Sequence, residues 1–174
     1  MSPPPSGLTR RLWLAMAAAK LGVAICASAT STAQAARWPL VEVWKDPNCG
    51  CCKLWVEHLQ ENGFSMRVYA TGNSAVRARL GIPRGLGSCH TALVAGYAIE
   101  GHVPASEIQR LLRERPSDLG LAVPGMPVGS PGKDGPAYGN RRDAYDVLLV
   151  LRDGSTGRFR HYPAIPAVPA GMRS

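Results

Sequence analysis

The sequence has no internal repeat, no dense stripe of basic residues and no long apolar run free of charge. With 174 residues and no repeat, the chain is expected to form one domain of ordinary size. Its arginines are scattered with few aromatics between them, which excludes nucleic acid as the expected partner. A membrane anchor needs about 18 or more apolar residues without charge. The best candidate is broken by Lys20 and diluted by Ser28, Thr30, Ser31 and Thr32, so no membrane span is expected in the mature protein. Cysteine is sparse too. A chain of this length can bury a core without disulfide staples, so its few cysteines need another explanation.

The first 35 residues have the layout of a secretory signal peptide. Arg10 and Arg11 form a positive start, Leu12 to Ala29 is mostly Leu, Ala, Val, Ile and Met, and Ala33-Gln34-Ala35 supplies a small-residue cleavage site. Cleavage is expected after Ala35, with delivery to the periplasm. Thr9-Arg10-Arg11-Leu12-Trp13-Leu14 resembles a twin-arginine signal, and a pair of arginines also suits the general export route. Cys26 follows Ile25, where a lipoprotein site requires a small residue, so it is read as a bystander lost with the signal. Residues 1–35 carry Arg10, Arg11 and Lys20 and no acid, so their removal takes the net charge from +8 to +5. What remains is a modestly basic soluble domain over residues 36–162. Residues 163–174, rich in Pro and Ala, are expected to be a disordered tail.

Four cysteines stay in the mature chain: Cys49, Cys51, Cys52 and Cys89. An even count in an oxidising compartment usually means a disulfide framework. The spacing argues otherwise, because three of the four fall within four consecutive positions, where bridges would close loops too short to stabilise much. Clustering of this kind serves chemistry at sulfur, either redox or metal.

Periodicity and turn chemistry predict the surrounding elements. Leu40 to Trp44 reads as a strand, Asp46-Pro47-Asn48 as a turn, and Cys51 to Glu61 as a helix stopped at Asn62-Gly63. A strand over Ser65–Tyr69 and a short helix over Ala75–Leu80 follow. Thr91–Val94 and Tyr97–Ile99 make a hairpin around Gly96, and a helix opens with Pro104 at its first position and runs through Leu112 until Pro116 stops it. The segment from Val123 to Gly132 is too rich in Pro and Gly for helix or central strand, and reads either as a linker or as a loop folded back over the site. Tyr145–Leu151 and Thr156–Tyr162, joined at Asp153-Gly154, read as a final hairpin.

A cysteine cluster where a strand gives way to a helix is a specific arrangement. The helix start exposes unpaired N–H groups and partial positive charge, which favours thiolate over thiol, and Lys53 adds charge nearby. Thiolates are soft ligands that select copper(I), zinc and iron–sulfur centres. Element order and cysteine position together resemble the thioredoxin fold, giving an expected α/β, thioredoxin-like domain with an added C-terminal β-hairpin. In that fold a cis-proline precedes the third strand beside the active-site cysteines. Here Ser88-Cys89-His90 takes its place, which sets Cys89 and His90 beside Cys49 and Cys52 and favours a ligand role over ordinary thioredoxin-type redox.

Four motifs sharpen the reading: Trp44-Lys45-Asp46-Pro47-Asn48-Cys49-Gly50-Cys51-Cys52, Ser88-Cys89-His90-Thr91-Ala92, Ile99-Glu100-Gly101-His102-Val103-Pro104-Ala105 and Gly120 through Gly132. In this order they resemble the CopG-like periplasmic copper-binding proteins, and the resemblance covers roughly Val41 to Tyr162. It implies a thioredoxin-like domain, copper at the cysteine cluster, and a part in copper resistance or copper redox handling. Family members often carry Met after the Ser-Pro-Gly, where this sequence has Lys133, so a thioether ligand at that position is absent.

The candidate metal ligands are Cys49, Cys51, Cys52, Cys89, His90, His102 and Met126. Each has a plainer alternative. Cys49 and Cys52 can form a C-x-x-C disulfide, with Cys51 as an inserted third thiol. Cys89 can be a buried free thiol, His90 can orient a ligand, and His102, in a Gly-His-Val-Pro turn, can be a solvated loop histidine. Met126 reads either as a soft lid over copper or as a gap-filler. His58 is expected at the surface, and His161 is expected to cap the last hairpin.

Three functions remain open. One is a copper-resistance protein holding copper(I), as single ions or as a multinuclear thiolate cluster, and exchanging it with other periplasmic copper-handling proteins. Another is a thiol–disulfide oxidoreductase in which Cys49 attacks and Cys52 resolves; a hybrid interconverts cluster and disulfide to change copper's oxidation state. The third is a zinc-stabilised interaction domain using Cys49, Cys52, Cys89 and His90.

Overall fold

The computed structural model describes residues 38–167, and the expected export signal lies outside them. Among the described residues the architecture is mixed α/β: a seven-stranded sheet in the order β2-β1-β3-β4-β5-β6-β7 with three α-helices. The elements are β1 (Val41–Lys45), α1 (Gly50–Glu61), β2 (Met66–Tyr69), α2 (Ser74–Arg79), β3 (His90–Val94), β4 (Tyr97–Glu100), α3 (Ala105–Glu114), β5 (Gly120–Ala122), β6 (Tyr145–Val150) and β7 (Thr156–Tyr162). None of the helices among the described residues is long and apolar enough to cross a membrane.

Each element near the site follows from local chemistry. Val41 and Val43 alternate with half-exposed Glu42 and Trp44, so β1 buries one face while pairing in parallel with β2 and antiparallel with β3. Asp46 then closes a turn, its Oδ1 accepting the Asn48 N–H at 2.8 Å while its carbonyl accepts that of Cys49 at 3.1 Å. Helix α1 buries Cys52, Trp55, Val56 and Leu59 along one stripe. Full burial of each such aliphatic side chain stabilises the fold by roughly 1.5–3 kcal/mol. Gly63, at φ +87°, carries the chain out of the helix.

The hairpin of β3 and β4 turns on Ala95 and Gly96, both with positive φ, the two-residue geometry that matches strand twist. Helix α3 begins one residue later than predicted, with Pro104 as its cap rather than its first helical residue. Proline has no hydrogen-bonding group on its side chain to cap with. His58 supplies the acceptor instead, its Nε2 taking the Ala105 N–H at 3.1 Å. His58 is therefore half-buried between α1 and α3, not a surface residue, and burial lowers its pKa.

Strand β5 was not predicted. Its three residues are wholly buried, so they show no polar alternation, and β5 pairs in parallel with β4. Gly120 permits that approach, since a Cβ there would stand 1.8 Å from the Ala98 carbonyl oxygen. The final hairpin forms where expected, with Tyr145 and Tyr162 stacked at 4.8 Å. His161 does not cap it; its Nδ1 pairs across the strands with Asp146 at 2.6 Å. Past Tyr162, where composition predicts a disordered tail, Ile165 and Arg142 exchange backbone hydrogen bonds of 2.8 and 2.9 Å; residues 168–174 lie outside those described.

Candidate metal centre

Four sulfurs converge at the start of α1. Cys49 is the helix cap, its Sγ 3.4 Å from the Cys52 N–H it accepts. Cys49 and Cys52 are joined in a disulfide, while Cys51 and Cys89 are free. The Cys51 sulfur stands 3.6 Å from that of Cys49 and 3.9 Å from that of Cys89. The four sulfurs lie within 4.8 Å of one another, and so do the ligand atoms of Cys89, His90 and His102. Cys89 belongs to both groups.

The imidazoles come from the strand ends. The β3–β4 ladder ends with Thr91 facing Glu100, and just past that end Cys89 and His102 meet side chain to side chain. The His102 Nε2 is 3.0 Å from the Cys89 sulfur, and its Nδ1 lies 2.8 Å from the Pro131 carbonyl. A carbonyl can only accept, so Nδ1 carries the proton and the Nε2 lone pair faces the thiol. His102 is thus fully buried, not a solvated loop residue. His90 is equally buried, its ring tilted against that of Trp55 with centroids 4.2 Å apart, and its Nδ1 lies 3.4 Å from the Cys89 sulfur. Its Nε2 has no hydrogen-bond partner. Buried polar atoms are nearly always paired, so the unpartnered Nε2 is unusual, while Nδ1 is the ring nitrogen that faces the Cys89 sulfur and fits a metal ligand set.

Burial governs the charges. It pushes the Cys89 thiol up to about 12, with Cys51 beside it adding to the rise. Burial also pulls both imidazoles down, His90 strongly and His102 less. Without metal, Cys89 and both imidazoles are therefore neutral, and an arriving cation must displace the Cys89 proton. Lys53 turns along the helix to Glu57 at 3.6 Å.

The Pro/Gly segment does fold back. Ser130, Pro131 and Gly132 are buried, and a Cβ on Gly132 would come within 2.6 Å of the Cys51 carbonyl and 2.9 Å of the Trp55 nitrogen. Met126 is half-exposed, on the rim of a cavity of about 410 Å³ that it shares with Cys89, Arg77 and Arg84. Sequence reasoning missed three supporting groups: the Pro131 carbonyl, the Trp55 ring and the Glu100 carboxylate. Only Glu100 left a signal, as an acid in the strand leading to Gly101-His102.

A mixed α/β domain with a thiol–imidazole cluster able to hold metal defines the class. A model of the family described as "Protein of unknown function, DUF411" matches residues 86–133, which span Cys89, His102 and the Pro/Gly loop but not the first three cysteines. Two solved structures titled as copper resistance protein copG, form 1 and form 2, are similar to this chain. The first is 47% identical, covering 73% of this chain and 99% of that one with a TM-score of 0.67. The second is 48% identical, covering 73% and 100% with a TM-score of 0.66. No curated protein matches. The chain belongs to the CopG family of copper resistance proteins.

Proposed function

We propose that this protein is exported to the periplasm and binds copper(I) there, in copper resistance, through Cys49, Cys51, Cys52, Cys89, His90 and His102. Its domain is read as thioredoxin-like with an added hairpin. The observation that carries the proposal is the double membership of Cys89, which joins a group of four sulfurs to a pair of buried imidazoles. Soft sulfur donors with neutral imidazoles suit copper(I) better than harder cations, and four clustered sulfurs suit a multinuclear thiolate cluster. Copper is cargo in this reading, received from and released to other periplasmic copper-handling proteins. Met126, half-exposed on the Cys89 rim, is the proposed soft lid.

The disulfide favours a second, linked reading. While Cys49 and Cys52 are bonded, two of the four sulfurs cannot act as thiolates, so full loading needs two electrons from a reductant. Cys51, 3.6 Å from Cys49, is placed for exchange with that bond. Thiol–disulfide chemistry would then gate copper binding or change copper's oxidation state.

The test is anaerobic titration of reduced protein with copper(I) against a competing chelator. Cys89→Ser should lower affinity by more than the roughly 10–100-fold typical of losing an outer-shell partner. Parent-like binding by Cys89→Ser would remove the copper centre as drawn, and a parent that prefers zinc would install the zinc-stabilised domain instead. Met126→Leu should weaken copper(I) and leave zinc unchanged, with metal-free stability shifted by less than about 1.5 kcal/mol. Mass spectrometry of periplasmic protein should find Ala36, or a residue close to it, at the N-terminus.

A further inference from the structure

Glu100 is a fully buried carboxylate in a position that neither the sulfurs nor the imidazoles explain. Its Oε1 accepts the Ser88 backbone N–H at 2.6 Å and the Arg77 Nε–H at 2.8 Å, and its Oε2 accepts the Thr91 hydroxyl at 2.6 Å. The carbonyl of the same Ser88 accepts from Arg77 Nη2 at 2.6 Å and from Asn73 Nδ2 at 3.2 Å. The Ser88 hydroxyl donates to the Gly125 carbonyl. Every polar group of the residue immediately before Cys89 is thereby fixed, and the Glu100–Arg77 pair holds both its N–H and its carbonyl. Two glycines make room for this. A Cβ on Gly101 would lie 2.6 Å from the Ser88 side chain, and one on Gly87 would lie 2.8 Å from Arg77 Nη1.

Burying a carboxylate is unfavourable, and burial indeed raises the Glu100 pKa against the opposing pull of its donors. Packing alone would be served better by an apolar residue. A proline could fix the backbone before the third strand through its ring. Here the residue at that point is Cys89, no peptide bond among the described residues is cis, and the position must be fixed by other means.

We propose that Glu100 and Arg77 are positioning residues that clamp Ser88 and so hold the Cys89 sulfur between Cys51 and His102. The clamp replaces the covalent rigidity of a proline with charge-assisted hydrogen bonds, leaving the next side chain free to be a thiol. The proposal rests on Cys89 being the working thiol of the centre, and it deepens that reading.

The experiment compares alkylation of Cys89 and Cys51 in the full-length protein, with each thiol quantified from its own peptide by mass spectrometry. Glu100→Gln keeps the shape but loses the charge. It should raise the Cys89:Cys51 labelling ratio by about tenfold, the factor set by weakening one charge-assisted network. Gly87→Ala leaves the carboxylate untouched and presses chiefly on the guanidinium, with the Arg84 carbonyl 3.1 Å from the new Cβ, at a φ of −59° that alanine accepts. It should raise the ratio by a smaller factor, about threefold. Thermal unfolding of both variants is measured alongside. A ratio unchanged in folded Glu100→Gln, or labelling of both thiols rising together, overturns the proposal and leaves Glu100 as a stabiliser of the fold. If Glu100→Gln does not fold, Gly87→Ala decides, and an unchanged ratio there overturns it equally. Copper(I) titration of the same variants separates the two claims: a shifted ratio with parent-like copper binding keeps the clamp and sinks the copper role of Cys89.

Discussion

The two antiparallel hairpins, β3–β4 and β6–β7, start from similar local chemistry and end in opposite environments. Each has a tight turn with a positive-φ glycine, Gly96 in one and Gly154 in the other, and each carries histidine near its open end. In β3–β4 those histidines, His90 and His102, are wholly buried against sulfur, tryptophan and a carbonyl. In β6–β7, His161 is half-exposed and answers to Asp146 in solvent. What differs is position in the sheet. The first hairpin lies between β1 and β5 and packs with α1 in the core, while β7 is an edge strand among the described residues. Burial keeps the two imidazoles neutral with a ring nitrogen of each facing the Cys89 sulfur, which makes a ligand set; exposure leaves the third an ordinary surface hydrogen bond.

Substitutions can break or sharpen that contrast. The largest expected effect is at glycine. Gly101→Ala combines a φ of +72° with a Cβ 2.5 Å from the Val123 carbonyl, so it should lose about 3 kcal/mol or more. Gly154→Ala, at φ +84° with its nearest neighbour 3.6 Å away, should lose only about 1 kcal/mol. Chemical denaturation of the two variants measures the difference, and equal losses would mean that crowding around Ser88 is not tight.

Histidine comes next. His102→Ala empties a buried site and orphans the Pro131 carbonyl, so about 2–3 kcal/mol should be lost even without metal. His161→Ala should leave the unfolding midpoint unmoved, because its contact with Asp146 is solvated. A large shift for His161→Ala would show that the edge hairpin is tied more firmly than its exposure suggests.

The smallest effect is a pH slope. His58 is neutral in the fold because it accepts the Ala105 N–H, and burial sets its folded pKa below the ordinary histidine value of 6.5. Between the two pKa values the unfolded chain binds more protons, so its stabilisation is full above pH 6.5 and drains as pH falls toward the folded value. His90 and His102 act in the same direction. His58→Gln should flatten the loss of stability on acidification without abolishing it. A slope identical to that of the parent would remove His58 as a cap of α3.

Much of this was readable in advance. The turn at Gly96 fixes a two-residue hairpin, and counting along its ladder from Val94 opposite Tyr97 already puts Cys89 opposite His102. Read as a loop residue, His102 looks solvated; counted through the register, it faces the thiol. Strand β5 and the capping role of His58 were not readable, since a three-residue buried strand has no period and a cap between two helices has no local signature.

By itself the sequence determined the local elements: the cap and cysteine spacing at the start of α1, both hairpin turns, and the helical stripe from Cys52 to Leu59. These depend on backbone preference and side-chain period, which act over a few residues. Tertiary structure alone decided which histidines are buried, that the Pro131 carbonyl sets the His102 tautomer, and that Glu100 and Arg77 clamp the residue before Cys89. Those outcomes depend on desolvation and on contacts between residues up to tens of positions apart, and no window along the chain contains both partners.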